Sequence, residues 1–265
     1  MKAGQLIAAA IGVAVLAGSF GCSSDSNPTS PNSNVTQQEA DDVATQSVVA
    51  IDIFGDDFAN AAISTPAAPS PGPARAARAQ WDTSFVSGIG LSYQASRTFF
   101  DAADNQLPYY GPNAVRMRWN SHASGLLVTA RDSATVGHGV VLDVRGIQSA
   151  ADTLQLDGTS SDSLLNKFVS YDGLRTRIYN WRSVFNLVNV RFPKSQLATG
   201  PRPIGTLTMA ISVDRLRTYN RLDVESHFDV TVVVILNGSD TAVLVVDGRY
   251  TYSWNVATGS VTRLP

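Results

Sequence analysis

The sequence predicts an all-β fold, mainly an antiparallel sandwich, barrel or curved half-barrel, with one amphipathic helix near the N-terminus. From Trp81 onward, apolar and polar residues alternate with period two, which is typical of half-buried strands. The dipeptides Asn237-Gly238 and Asp247-Gly248 supply the positive φ angles that tight hairpins need. No helical segments of 10 to 15 residues separate the strands, so a doubly wound α/β fold is excluded.

Composition narrows the possible chemistry. The chain has 265 residues, with 20 Lys and Arg against 22 Asp and Glu, and this formal charge of −2 argues against a nucleic-acid partner bound mainly through phosphates. It has one cysteine, Cys22, so an internal disulfide, a thiolate zinc cluster and an iron-sulfur site are all excluded. We expect no cofactor, and we expect the fold to be stabilised by a hydrophobic core.

Residues 1–21 form a targeting segment in which the apolar run 6–20 follows Lys2. As a helix this run spans about 22 Å, which is less than the roughly 30 Å of a bilayer core, so a cleaved signal peptide is favoured over a spanning helix. The residues leading to Gly21 and Cys22, followed by the polar stretch from Ser23, resemble a bacterial lipoprotein precursor. Ordinary secretion is the alternative, because Ser19-Phe20-Gly21 also fits the small-x-small pattern of general signal cleavage.

The resemblance implies where the protein resides. In that family the peptide is cut before the cysteine, and acyl chains such as palmitate are attached to the cysteine's sulfur and to its new amino group. Acylated Cys22 implies a lipoprotein attached to a membrane of the cell envelope. By analogy with enteric lipoproteins, Ser23 after the cysteine implies the outer membrane, with the protein facing the periplasm or the cell surface.

Three segments are predicted before the β domain. Residues 22–35 are rich in Ser, Asn and Pro and form a flexible tether. Residues 36–62 form a helix, because Thr36 and Glu39 have the spacing of a capping box. Apolar residues recur at helical spacing and predict a face that packs on the β domain: Ala44, Val48, Ile51, Phe54 and Phe58. Gly55 is expected to end or kink this helix, and residues 63–80 form a Pro/Ala-rich linker.

Residues 81–265 are expected to form one antiparallel β domain of eight to ten strands. The region around the apolar run 230–236 predicts an antiparallel meander, and Asp172-Gly173 predicts a further hairpin.

Two patterns are candidate sites. Glu225, His227 and Asp229 fall on one side of a strand, where an imidazole between two carboxylates suits a divalent metal or acid-base chemistry. The solvated face of an ordinary strand explains the same pattern.

The other pattern is a recurring Arg-x-Arg. If the three strands that carry it were neighbours, the six guanidiniums would line a groove for phosphate, carboxylate or acidic glycan. Charged residues that solubilise strands and deter edge pairing are the alternative explanation. The pairs are Arg116/Arg118, Arg175/Arg177 and Arg215/Arg217.

The sequence predicts a protein without catalytic activity. It contains no G-x-S-x-G, H-E-x-x-H, P-loop or dinucleotide-binding glycine motif. The predicted function is a lipid-anchored envelope module, structural or interacting with an envelope protein. The alternative is a carrier that holds an apolar or lipid-like ligand in a curved sheet, and a less favoured one is an envelope hydrolase or metal enzyme.

Overall fold

The computed structural model describes residues 35–63, 81–86, 91–108, 110–128, 132–148, 150–169, 174–196, 202–219 and 222–265. The helix is α1, Gln37–Ile63. The strands are β1 Trp81–Val86, β2 Leu91–Phe100, β3 Gln106–Leu107, β4 Arg116–Val128, β5 Asp132–Arg145, β6 Thr153–Val169, β7 Arg175–Pro193, β8 Ile204–Tyr219, β9 Leu222–Asn237, β10 Thr241–Val246, β11 Tyr250–Asn255 and β12 Val261–Arg263. The predicted signal peptide, Cys22, the tether as far as residue 34 and residues 64–80 of the predicted linker lie outside the described residues.

The strands form one open antiparallel sheet. Eleven of them follow in chain order, β1-β2-β4-β5-β6-β7-β8-β9-β10-β11-β12, and β3 pairs only with β2. The prediction of an all-β fold with one N-terminal helix is confirmed. Of the three architectures considered, neither a two-sheet sandwich nor a closed barrel forms, because the strands belong to a single sheet with β1 and β12 at its two ends. The described strands number twelve rather than eight to ten, since β3 and β12 have only two and three residues.

The turn dipeptides lie where the sequence predicts hairpins. Asp247 and Gly248 have φ values of 54° and 65°, the left-handed backbone that a tight turn between β10 and β11 requires. Gly238, with φ 79°, follows β9 directly. Asp172-Gly173 lies outside the described residues, between strands β6 and β7, which pair antiparallel.

The sheet has an inner face that is buried except at the end where β7 begins and β8 ends, and an outer face that is largely polar. Buried inner-face side chains from β2 to β11 and from α1 belong to one hydrophobic cluster, so the sheet curves around its core. Trp119 on β4, Phe185 on β7 and Leu244 on β10 are each no more than 1% exposed. Burial of this apolar area, at about 25 cal/mol per Å², is the main contribution to stability in a chain that cannot form an internal disulfide.

Helix α1 begins at the predicted capping box. The Glu39 backbone N–H donates to Thr36 Oγ1 at 3.3 Å, and the Thr36 N–H donates to Glu39 Oε2 at 2.9 Å. The helix continues through Gly55 to Ile63. Gly55 was expected to end or kink the helix, and the expectation that it ends the helix was wrong. A glycine inside a helix costs only about 1 kcal/mol relative to alanine, which tertiary packing can offset.

The helix packs on the sheet through the predicted face. Ala44, Val48 and Ile51 are buried, whereas the side chains of Phe54 and Phe58 lie outside the described set. Two tyrosines on β11 hold its N-terminal turn, because Tyr252 donates its hydroxyl to Asp41 Oδ1 at 2.7 Å and Tyr250 donates to the Val35 carbonyl at 3.1 Å. The chain segment that leads back toward Cys22 therefore starts at a fixed point on the sheet.

Candidate functional site

The structure separates the three arginine pairs. Arg116 and Arg118 lie on the outer face of β4, because the alternate residues Met117 and Trp119 are buried on the inner face. Arg175 and Arg177 on β7 share the inner face with Trp181, and Arg215 and Arg217 on β8 share it with Val213. These two pairs are on neighbouring strands, so four of the six predicted guanidiniums come together and two do not.

The outer-face pair Arg116/Arg118 is bound to carboxylates. Arg118 donates from Nε and Nη2 to the two oxygens of Asp143, both at 3.0 Å, and Arg116 donates to Asp143 at 2.5 Å and also to Asp104. Arg116 also lies over the Phe100 ring, 3.9 Å from its centroid. Burial acts to raise the pKa of Asp143, but the hydrogen bonds from Arg118 and Arg116 hold that pKa below its ordinary value. These contacts indicate that Arg116 and Arg118 have a structural role, because they form an ion-pair network with Asp143 and Asp104.

The other four side chains, Arg175, Arg177, Arg215 and Arg217, are called here the inner arginine cluster. Arg177 is the direct cross-strand partner of Arg217, and Tyr179 is the partner of Arg215 one row closer to the middle of the strands. Arg175 and Arg217 are exposed, and Arg177 is half-buried. The cluster thus lies at the end of the inner face where β7 begins and β8 ends.

Aromatic rings surround the inner arginine cluster. The Arg215 guanidinium carbon is 5.0 Å from the Phe228 ring centroid and 5.8 Å from that of Tyr179, and the Arg177 guanidinium carbon is 5.7 Å from that of Phe168. Burial raises the pKa of Tyr179 to about 12, so its phenol stays protonated at neutral pH. Cation–π contacts of this kind help to hold guanidiniums in place.

Glu225, His227 and Asp229 are exposed side chains on the outer face of β9. His227 lies between two carboxylates, with Nδ1 2.6 Å from Asp214 Oδ1 of β8 and Nε2 3.2 Å from Asp229 Oδ2. Both ring nitrogens are therefore occupied by hydrogen bonds. In the described part of the chain, no group of three or more His, Cys, Asp and Glu residues has an arrangement that could hold a metal ion.

The contacts of His227 predict its titration. Hydrogen bonds to Asp214 and then to Asp229 raise the pKa of His227 above 6.5, and NMR titration of the imidazole should reveal this. Because the pKa is raised in the folded state, these bonds stabilise the fold below the unfolded pKa, and their contribution is lost as pH rises through the folded pKa. Asp214→Asn should lower the imidazole pKa, while the control Asp223→Asn should leave it in place. Equal values in all three proteins would contradict this account.

A second histidine lies on the inner face, where sequence reasoning did not place a site. His138 on β5 and its cross-strand partner Asp162 on β6 have side chains 12% and 15% exposed, and Nδ1 lies 2.5 Å from Asp162 Oδ1. The second carboxylate oxygen, Oδ2, is buried and has no hydrogen-bond partner in the region that the structure describes. A carboxylate that orients an imidazole is one part of a catalytic triad, but a nucleophile and oxyanion donors are needed as well.

The edge of β9 is open over half of its length. β8 pairs with β9 from residue 222 to residue 237, whereas the register of β10 covers only residues 232–235. On the β10 side, the carbonyl of Thr231 accepts from the Asp247 N–H at 2.8 Å, which is the last main-chain bond that the described residues make there. Within the described ranges, residues 222–230 therefore have a neighbouring strand on one side only, and this segment is called here the β9 edge.

The side to which each main-chain group of the β9 edge points follows from strand geometry. The N–H and C=O of one residue point to the same side, and successive residues alternate. Since Thr231 points toward β10, the main-chain groups of Asp223, Glu225, His227 and Asp229 point away from β8. The β9 edge thus offers four outward N–H and C=O pairs.

Comparison of the chain with protein-family models, with curated proteins and with solved structures found no match. Among the described helical residues, no stretch is both long and apolar enough to cross a membrane. The class of protein is described by the fold, which is an open antiparallel β meander with one helix packed on its inner face.

Proposed function

We propose that this protein is a lipid-anchored module of the bacterial cell envelope that binds a partner protein through the β9 edge and has no catalytic activity. The observation that carries the proposal is the run of residues 222–230, which among the strands that the structure describes has a neighbour on one side only. Such an edge is a template for a strand from another chain, and natural proteins ordinarily cover, shorten or twist their edges. Acylated Cys22 would hold this edge near the membrane surface.

The side chains of the β9 edge favour a particular partner strand. The outer face carries Asp223, Glu225 and Asp229 with His227, whereas the inner face carries Val224 and apolar neighbours. An added strand with basic residues outside and apolar residues inside would match both faces, since cross-strand pairs of opposite charge each contribute roughly 0.2–1 kcal/mol. Binding should therefore weaken as the salt concentration rises.

The packing of the described interior favours a module over a carrier. The buried side chains of the helix and the sheet form one cluster, and many of them, such as Phe99, Met117 and Val232, are fully buried. A carrier needs an apolar cavity of at least several hundred Å³.

The test uses a photoreactive residue at position 229 of the full-length protein in intact membranes. We expect it to cross-link to a partner in the wild-type background and to lose this product in Glu225→Pro, because proline removes an outward N–H. Glu225→Ala removes the same carboxylate but keeps the N–H, so it should retain the product with greater sensitivity to salt.

Stability controls separate loss of binding from loss of folding. Glu225→Pro should unfold at nearly the wild-type temperature, because edge strands tolerate proline where the N–H faces outward. Val224→Pro is the matched control, and it should be clearly destabilised because the Val224 N–H points toward β8. An undiminished cross-link in folded Glu225→Pro would refute binding through the β9 edge.

A further inference from the structure

His227 lies within the β9 edge, at a position that a bound strand would contact directly. Its main-chain N–H and C=O point away from β8, as do those of Glu225 and Asp229 on either side of it. In an added antiparallel strand, the residue opposite His227 would exchange both main-chain hydrogen bonds with it. The two side chains would then share the outer face, with their Cβ atoms roughly 4.5–5.5 Å apart.

The protonation state of His227 determines which carboxylates it binds. Nδ1 lies 2.6 Å from Asp214 Oδ1, and Nε2 lies 3.2 Å from Asp229 Oδ2. The imidazolium donates from both ring nitrogens and therefore binds both carboxylates, whereas the neutral ring has one N–H and can donate to only one of them. The other carboxylate can then accept from a basic side chain of a partner, and Asp229, which is 73% exposed, is accessible for this contact.

The surroundings of His227 are mainly acidic. Asp214 is its direct partner on β8, and Glu225 and Asp229 are its nearest outer-face neighbours on β9. The cation nearest on β7 is Arg182, which lies in the same row as Asp229 with Ser212 of β8 between them. Helix α1 packs on the opposite, inner face of the sheet.

His227 is the only group in these surroundings that changes charge near neutral pH. Carboxylates titrate near pH 4 and arginine titrates above pH 12. Hydrogen bonds from Ser212 and then from His227 lower the pKa of Asp229 further, so this carboxylate stays ionised. The sequence contains no other histidine on β7, β8 or β9.

A basic partner strand would distinguish the two forms of His227. An imidazolium directly opposite a lysine or arginine destabilises the strand pair, because like charges repel at this distance. It also keeps both carboxylates engaged. The neutral imidazole removes the repulsion and leaves one carboxylate able to pair with the partner.

We propose that His227 couples partner binding at the β9 edge to pH: a strand with a basic residue opposite His227 binds while the imidazole is neutral and is released when the imidazole is protonated. This inference rests on the proposed function, because it assigns a regulation to the same edge. Hydrogen bonds to Asp214 and then to Asp229 raise the pKa of His227 in the free protein above 6.5. Affinity is therefore full above this raised pKa and falls as the pH drops through it, and a bound strand lowers the pKa in return.

The test uses the mature chain carrying Cys22→Ala and a synthetic peptide of alternating lysine and valine, equal in length to the β9 edge and blocked at both ends. Fluorescence anisotropy of the labelled peptide gives its dissociation constant at fixed ionic strength. We expect binding about fivefold weaker at about pH 6 than at about pH 8.5, a range in which lysine stays charged.

Three variants assign the pH dependence to one side chain. His227→Gln should bind the peptide equally at both pH values, and His227→Arg, which carries a fixed charge, should bind weakly at both. The matched control is His122→Gln, at an exposed position on β4, and it should keep the pH dependence of the wild type. Because His227 is exposed, both of its variants should unfold near the wild-type temperature at either pH.

The outcomes separate this inference from the proposed function. Wild-type binding that does not change with pH, or a pH dependence that persists in His227→Gln, would overturn the coupling and leave the β9 edge as a binding site. A peptide that does not bind at any pH, or that binds equally to Glu225→Pro, would overturn both the β9 edge and the coupling.

Discussion

Replacing Cys22 with alanine is expected to abolish irreversible attachment, so that the protein is washed from the membrane fraction into the soluble fraction. Each methylene of a buried acyl chain contributes about 0.8 kcal/mol, so several acyl chains hold a protein on a bilayer almost irreversibly, whereas head-group contacts alone are reversible. Intact-mass spectrometry of the wild-type mature chain should give the mass of residues 22–265 plus acyl groups. The Cys22→Ala chain should carry no acyl mass.

Ser23→Ala is the matched control, because it changes the adjacent residue and leaves the acylated sulfur in place. It should remain acylated and membrane-bound. A wild-type mature chain that begins at Cys22 without acyl mass would contradict lipidation and would favour ordinary secretion, which the Ser19-Phe20-Gly21 pattern also permits.

The sequence was sufficient to predict the class of fold because its signals are local. Alternation with period two identifies strands, and Asp247-Gly248 places a hairpin where both residues have positive φ. Thr36 and Glu39 likewise determine the start of α1 by contacts within one turn. The closure of the sheet was not predictable, because it depends on how many strands curve around the core rather than on any one strand.

The sheet face on which an arginine pair lies could be predicted from the alternation of its strand. Which pairs lie on neighbouring strands could not be predicted. Arg215 and Arg217 continue the alternation of Leu207 to Val213, so they share its inner face, whereas Arg116 and Arg118 alternate with Met117 and Trp119. That β7 and β8 are neighbours follows only from the register of the whole meander. Long-range pairing therefore decides which guanidiniums form a cluster.

The sheet face on which His138 lies could also be predicted from strand alternation, although a motif search does not detect it. It falls in the inner-face alternation of β5, with Val136 and Val140 on either side. Its partner Asp162 lies on the next strand, so only the β5–β6 register joins the two. The open β9 edge was not predictable either, because it results from the difference in length between β9, with 16 residues, and β10, with six.

The His138–Asp162 pair should make a large and non-additive contribution to stability. His138→Leu leaves a buried carboxylate without the imidazole that bonds it, which should lower the free energy of unfolding by roughly 3 kcal/mol. Asp162→Val leaves the imidazole nitrogen without its carboxylate and should cost about 1–3 kcal/mol. The double variant should recover stability, because replacing a buried polar pair by apolar residues removes the desolvation penalty of both groups. Urea unfolding of the four proteins would give a coupling energy above about 1 kcal/mol.

The same four proteins distinguish a structural pair from a functional one. A pair that only specifies the packing of the inner face should leave the position-229 cross-link intact in the double variant once that variant is folded. Additive losses of stability would show that the 2.5 Å contact between His138 and Asp162 is not an energetic unit. A double variant that is as stable as the wild type but has lost the cross-link would instead assign the pair to function. The buried Oδ2 of Asp162, which has no partner in the described part of the chain, would then be the first atom to examine for a ligand.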